Sequence, residues 1–343
     1  VTYNSERHIP DLVQSLKAQT LRDFELIHID SASSDESPDL LKRSFPMARV
    51  ICAKENLGYR KGNQKGIDLA LGKYILVLND DVELHPFLLE RLVIVAERDE
   101  RIALVAPAIL LHGSGMILNA AGSDLAPNGF YAARAKRHPL DAFQKQAEVA
   151  AASGCCFLVR RSFIHSHGGF DSVFDSLATE WHASAEDLDL SWKAWTSGRR
   201  VVYEPRAILW HKYQQKPITP GRFASLISGR LAFVLMNYSR STLLRFSPLL
   251  LMTELGLLAY SMMRGPSYLH AWLQSWRWAW RNRRRLAELR AKRASIRRAN
   301  DASLFRHMKP ALILAPEMRR NPLSLIGSFV CAGLNALCLV KTS

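Results

Sequence analysis

Apolar positions fall into three regimes along the chain. Up to about residue 110, short apolar runs alternate with segments whose apolar positions recur every three or four residues. The runs at 24–29, 50–52 and 74–78 predict strands, and the last, Tyr74-Ile75-Leu76-Val77-Leu78, is unbroken. Helical patterns lie at 9–18, 37–43, 62–71 and 86–97, with Pro10 and Pro86 where a first turn accepts proline. Strand and helix in alternation predict an α/β, Rossmann-like and mostly parallel sheet flanked by helices. Polar and acidic residues follow the strands, where ligands of such sheets bind.

From 111 to about 222 the pattern loosens. Strands are predicted at 156–159, 201–203 and 208–210, and a helix at 186–197, stopped by Gly198. The stretch 113–146, with its Gly, Asn, Pro and basic residues, reads as a long surface excursion. From 223 the character changes. Residues 243–263 are mostly apolar, interrupted by Arg245, Pro248 and Glu254. Residues 276–309 hold twelve basic residues against Glu288 and Asp301, a local charge of +10. Residues 323–340 carry no charge. The expected division is a domain at 1–222 and a helical, basic, membrane-associating region at 223–343.

With 48% hydrophobic and 22% charged residues among 343, the chain is neither disordered nor low in complexity. Its five Cys lack C-x-x-C spacing, which argues against a disulfide scaffold or a structural zinc site. The net charge of +15 asks for an anionic partner: nucleic acid, an anionic membrane or a phosphorylated substrate. The opening Val1-Thr2-Tyr3-Asn4 reads as the tail of a strand with residues upstream.

Four constellations carry candidate chemistry. Asp30-Ser31-Ala32-Ser33-Ser34-Asp35 follows a strand and suits a ligand with many hydroxyls, or else a turn and helix cap. Asn56 to Asn63 is a glycine-containing loop opening a helix, where backbone amides with Arg60 and Lys61 can face a phosphate. Asn79-Asp80-Asp81 ends the most apolar strand, and carboxylates there suit a hard divalent cation bridging a diphosphate. Glu186-Asp187-Leu188-Asp189 opens a helix, placing either dipole-matched acids or a general base. His211, at the end of 208–210, is a polar strand end or a metal ligand.

In their order, Val1 to Ser5, the Asp30 motif, the Asn56 loop, Asn79-Asp80-Asp81, Gly168-Gly169-Phe170-Asp171, Glu186 to Asp189 and Trp210-His211 resemble family 2 glycosyltransferases of the GT-A fold. The likeness covers about residues 1–215 and is greatest to the bacterial rhamnosyltransferase-like branch. It implies an inverting transfer of a sugar from a nucleoside diphosphate sugar to a saccharide or polyprenyl-linked acceptor in cell-envelope polysaccharide synthesis. The nucleotide would meet Thr2, Asn4, Asp30, Asn56, Arg60, Asn79 and Asp80. Asp81 and His211 would hold Mg2+ or Mn2+, Asp187 would be the catalytic base, and Gly169 and Glu186 would lie on the acceptor side. Asn79 stands where a strict D-x-D has Asp, and the Gln-x-x-Arg-Trp motif of processive synthases is missing. An inactive member serving as a membrane scaffold is the alternative, against which the intact Asp81, Asp187 and His211 argue.

Trp272, Trp276, Trp278 and Trp280 beside an Arg cluster suit the headgroup layer of an anionic membrane. With no zinc knuckle or helix-turn-helix signal, nucleic acid is not the expected partner. The expected location is the cytoplasmic face of the inner membrane, peripheral or with one span at 323–340.

Overall fold

The computed structural model describes residues 1–177, 185–214 and 217–309. The expected span at 323–340 lies outside the described residues. In chain order the elements are α1 (Ile9–Lys17), β1 (Ile27–Asp30), α2 (Ser37–Ser44), β2 (Arg49–Cys52), α3 (Gly58–Leu69), β3 (Tyr74–Leu78), β4 (Val82–Leu84), α4 (Leu88–Glu97) and β5 (Ile102–Leu111). Then come β6 (Leu118–Ala120), β7 (Ser123–Leu125), β8 (Tyr131–Ala133), β9 (Ala147–Glu148), β10 (Cys156–Arg160), α5 (Arg161–His167), α6 (Glu186–Thr196) and β11 (Arg200–His211). Helices α7 (Pro220–Asn237), α8 (Arg240–Arg264), α9 (Pro266–Arg281), α10 (Arg283–Ile296) and α11 (Asp301–Phe305) follow.

Two compact units emerge. The first comprises 1–123, 133–171 and 199–214; the second comprises 124–132, 172–177, 185–198 and 217–309. This differs from a single cut at 222, because α6, with Glu186 and Asp187, clusters with the helices of the second unit.

In the first unit a seven-stranded sheet runs β3-β10-β5-β11-β4, with β6 on β5 and β9 on β11. The sheet is mixed. β10 is antiparallel to both β3 and β5, and β11 is parallel to β5. Hence β3, β5 and β11 point the same way, and their carboxyl ends share one edge. β5, Ile-Ala-Leu-Val-Ala-Pro-Ala-Ile-Leu-Leu, is buried over all but its last residue, as a strand covered on both faces must be. The two strands expected at 201–203 and 208–210 are one strand, bulged between Glu204 and Ile208. Pro205 cannot donate to a ladder, so a bulge is where it fits. Leu88, Leu92, Val105, Ile109, Val202 and Leu209 form the core between sheet and helices.

β1 and β2 form a separate parallel pair, joined at one point by Thr2, whose N–H donates to Ile29 O at 3.0 Å. Between β1 and β3 lies a cavity of about 670 Å3 lined by Ile27, Ile29, Ile67, Ile75 and Val77. The stretch 113–146 is no surface excursion. It contributes β6 and buries Leu118, Asn119, Ala120 and Leu140. α3 starts at Gly58, a turn earlier than expected, because Asn56 Oδ1 accepts from Gly58 N at 2.8 Å.

The second unit is helical. Thr219, Ser239 and Asn300 cap α7, α8 and α11 through their side-chain oxygens. Phe223, Ile227, Leu231, Leu257, Tyr268 and Ala271 form its core.

Candidate active site at the strand ends

Strand register builds the first part of the site. β4 pairs antiparallel with β11, placing Val82 opposite His211, so Asp81 lies diagonal to the imidazole. Asp81 Oδ2 is 3.2 Å from His211 Nε2. The other ring nitrogen, Nδ1, donates to Asn119 Oδ1 at 2.9 Å, which directs Nε2 toward the carboxylate. Burial favours a neutral Asp81, but the His211 contact outweighs it and holds the carboxyl below its usual range. Burial likewise opposes a charged His211, yet the Asp81 carboxylate beside Nε2 holds the imidazole above its ordinary value. Burial pushes the Cys155 thiol up, so it is a neutral neighbour. Asp81 Oδ1 is buried without a hydrogen-bond partner among the described residues. An unmatched buried carboxylate oxygen is costly, and a cation satisfies it.

The second part gathers around residues 2–5. Thr2 Oγ1 lies 2.6 Å from His28 Nε2 and donates to Asp30 Oδ1 at 3.3 Å. Burial drives the His28 pKa down to about 4, so the ring is neutral near pH 7. Asp30 Oδ2 accepts from Ser33 N at 3.1 Å, so the carboxylate braces the loop that follows β1. Asn4, at φ +52°, accepts from Ser34 N at 2.8 Å and donates its own N–H to Ser33 Oγ at 2.9 Å. Ser5 Oγ donates to Asp80 Oδ2. Thr2, Asn4, Asp30 and Asp80 are thus brought together by the opening segment. Asn79 N donates to Cys155 O at 2.9 Å, fixing the turn that presents Asp80 and Asp81.

Three expected residues do structural work. Asn56 caps α3. Arg60 donates to Phe170 O at 3.3 Å from within α3, so it is held by the protein and not presented on a loop. At Gly169 any side chain would press into Gln64, whose Oε1 accepts from Phe170 N at 2.8 Å. A side chain there would displace the Gln64 amide from Phe170 N.

In the second unit, Glu186 and Asp187 open α6, where the helix dipole favours acids. Glu186 is buried, and Asp187 is half-buried. Asp187 Oδ1 accepts from Tyr131 Oη at 3.1 Å and from Leu188 N at 2.9 Å. Asp189, two residues on, is fully occupied: Arg293 Nη2 donates to both of its oxygens, at 3.0 and 2.7 Å, and Asn237 Nδ2 to Oδ1 at 2.9 Å.

Asn119, Cys155, Ser5 and Tyr131 are absent from the sequence-based set. Asn119 sits in the irregular 113–146 stretch, where spacing carries no signal. Ser5 adjoins the Thr2 and Asn4 positions and was within reach of that motif.

Acids at the carboxyl edge of a mixed sheet flanked by helices define a GT-A glycosyltransferase. Residues 1–168, which carry Asp30, Asn79, Asp80 and Asp81, match the family described as Glycosyl transferase family 2, and they form a domain of that family. An N-acetylglucosaminyl-diphospho-decaprenol L-rhamnosyltransferase of Mycobacterium tuberculosis is 27% identical over 237 residues, 62% of this chain and 74% of the relative. That similarity associates the chain with the bacterial rhamnosyltransferase-like branch. Among solved structures, GalNAc-T7 with UDP, GalNAc and Mn2+ aligns with a TM-score of 0.58 at 17% identity, over 73% of this chain and 48% of that one. The mannosyltransferase PcManGT of Pyrobaculum calidifontis with GDP-Man and Mn2+ aligns at 0.50 and 14%, over 99% and 84%. These structures establish the fold.

Proposed function

We propose that the chain transfers a sugar, with inversion, from a nucleoside diphosphate sugar to a hydroxyl of a saccharide or polyprenyl-linked acceptor. The process served is bacterial cell-envelope polysaccharide synthesis. The observation that carries the reading is Asp81: a half-buried carboxylate at the strand ends, paired to His211 by one oxygen, with the other oxygen buried and unmatched among the described residues.

The donor set fits Mg2+ or Mn2+. Asp81 and His211 supply a hard oxygen and an imidazole nitrogen, and they would hold the ion. Among the described residues no three His, Cys, Asp or Glu side chains converge as a closed cage. Such ions take one or two protein ligands and complete their shell with substrate oxygens and water. When bound, the ion neutralises charge on the leaving diphosphate. The rest falls to the chain's own groups. Asn119 orients the imidazole of His211 through Nδ1. Asp30, braced by Thr2 and Ser33, and the Asn4 loop offer a rigid polar surface for base and ribose.

Asp187 is the base in this reading, with Tyr131 fixing one of its oxygens. It takes the acceptor hydroxyl proton as that oxygen bonds to the anomeric carbon, and the bond from that carbon to the diphosphate oxygen breaks with its electron pair. Attack opposite the leaving group inverts the centre. The rhamnosyltransferase relative supports a lipid-diphosphate saccharide acceptor. The basic region at 223–343 supports a peripheral position on an anionic membrane, at the cytoplasmic face, with no role for nucleic acid.

The test is calorimetric binding of dTDP and UDP, with and without Mn2+, to the chain and to Asp81→Asn. Metal-dependent binding that disappears in the variant is the expected outcome. Absence of binding to the folded wild-type chain would overturn the reading.

A further inference from the structure

Helix α8 is apolar on its outer side as well as its inner one. Its inward positions include Thr242, Thr253 and Ser261 alongside Phe246, Leu249 and Leu257. Its outward positions include Leu244, Leu251, Leu255 and Met262, which are 78%, 62%, 51% and 65% exposed. These four are 7, 4 and 7 residues apart. At about 100° per residue they stand within about 40° of one another, in a stripe about 27 Å long. From Ser247 to Met263 no outward position is charged. A helix packed on a core and facing water carries polar and charged residues on its outer side.

The one acid inside this apolar stretch is neutralised within the protein. Glu254 accepts from the buried Arg230, from Trp272 Nε1 at 3.2 Å and from Trp276 Nε1 at 2.8 Å. The stripe is therefore free of charge while the helix still carries a carboxylate. α9 extends the apolar surface with Leu273, Trp276 and Trp280, which lie 3 and 4 residues apart and so share one face. Beside them stand the exposed cations Arg264, Arg277, Arg281, Arg283 and Arg284. The guanidinium of Arg283 lies 4.4 Å from the centroid of the Trp280 ring.

We infer that the outer stripe of α8, with Leu273, Trp276 and Trp280 of α9, is embedded in one leaflet of an anionic bilayer while the arginines engage lipid phosphates. This deepens the membrane-facing part of the proposed function and rests on it. Two features select a lipid surface over a second copy of the chain. The arginines rimming the stripe would repel their own copies, whereas an anionic headgroup layer neutralises them. Tryptophan beside arginine at the border of an apolar stripe matches the boundary between acyl chains and headgroups. The orientation is in the membrane plane, because the opposite face of α8 is packed from Thr242 to Ser261 and only the outer stripe is available to lipid.

The experiment is flotation of the full chain with vesicles of phosphatidylcholine alone or mixed with phosphatidylglycerol, run in parallel with calorimetric nucleotide binding. The wild-type chain is expected to float with the mixed vesicles and weakly with phosphatidylcholine. Leu251→Asp/Leu255→Asp, on exposed positions, should lower the partition by about tenfold or more with nucleotide binding and thermal unfolding unchanged. Arg277→Gln/Arg281→Gln should lower it only where phosphatidylglycerol is present. Three results overturn the inference: wild-type flotation indifferent to lipid charge; an Asp double variant that floats like wild type, which would move membrane contact elsewhere, such as 323–340; or no flotation with a concentration-dependent dimer that the Asp variant abolishes. Loss of nucleotide binding with flotation intact would instead sink the catalytic reading and leave this surface standing.

Discussion

Asp189 is fully buried and Asp81 half-buried, with one of its oxygens out of water, and their surroundings differ. Asp189, in the helical unit, receives Arg293 on both oxygens, Asn237 on one, and Lys193 at 3.9 Å. Asp81, at the sheet edge, meets His211 through one oxygen and has the other unmatched among the described residues. A saturated buried acid holds a fold together, whereas a buried carboxylate oxygen with no protein partner is costly unless a cation or water meets it. Asp187 stands between them in its contacts: half-buried like Asp81, it accepts on one oxygen from a tyrosine hydroxyl and a backbone amide, among other interactions.

The sharpest probe of that ordering is the intermediate case. Asp187→Asn keeps the shape and removes the base, so transfer should fall by roughly 100- to 10,000-fold with nucleotide binding retained. Near-normal turnover in a transfer assay would remove Asp187 from catalysis. Asp189→Ala should instead cost stability, about 3–5 kcal/mol in urea unfolding, because the buried Arg293 and Lys193 would lose the carboxylate they meet. If Asp189→Ala proved neutral in stability, the contrast with Asp81 would collapse.

Asp81→Asn should leave the unfolding midpoint near wild type, since it removes a charge that the protein only partly satisfies. Its Mn2+-dependent nucleotide binding should disappear into the calorimetric baseline. Asn119→Ala should weaken Mn2+ binding by roughly 10-fold or more, the usual range for an outer-shell partner of a metal-binding histidine. Direct titration of the ion, read by electron paramagnetic resonance, checks this independently of turnover. A smaller effect concerns Asp301. Burial alone would raise its pKa, but hydrogen bonds from Thr242 and Ser239, with Arg297 adding its charge, hold the carboxyl below the ordinary range. Its contribution is present above the unfolded-state value, about 3.9, and is lost as pH falls through the lower folded value. Wild type should therefore lose more stability than Asp301→Asn in that acidic window, followed by thermal unfolding against pH.

Much of the sheet unit was readable in advance. Tyr74–Leu78 appears as expected, because an unbroken apolar run bounded by Lys73 and Asn79 has few other uses. Asp81 and His211, 130 residues apart, were paired by resemblance and are brought to 3.2 Å by the register of β4 on β11. β5 escaped notice, since an apolar run containing Pro107 does not distinguish strand from helix by period. The contacts of Asn56 Oδ1 with Gly58 N and of Arg60 with Phe170 O were not readable, because a turn and a carbonyl contact leave no mark on local spacing. The order of β3, β10 and β5 was equally hidden, being decided by partners far away in sequence.

Local chemistry alone determined which residue types follow each strand, where α6 begins, and that a basic, Trp-rich region closes the described chain. These depend on neighbours a few positions away. Tertiary structure decided which of the acids is saturated and which keeps an oxygen unmatched among the described residues, that Asn119 orients His211, and that α8 leaves an apolar stripe on its outer side. Each of those depends on groups 20 to more than 100 residues distant, as Arg230 to Glu254 and Arg293 to Asp189 illustrate. Saturation of a buried charge and the facing of a helix are properties of packing, and packing is settled only when the distant partners meet.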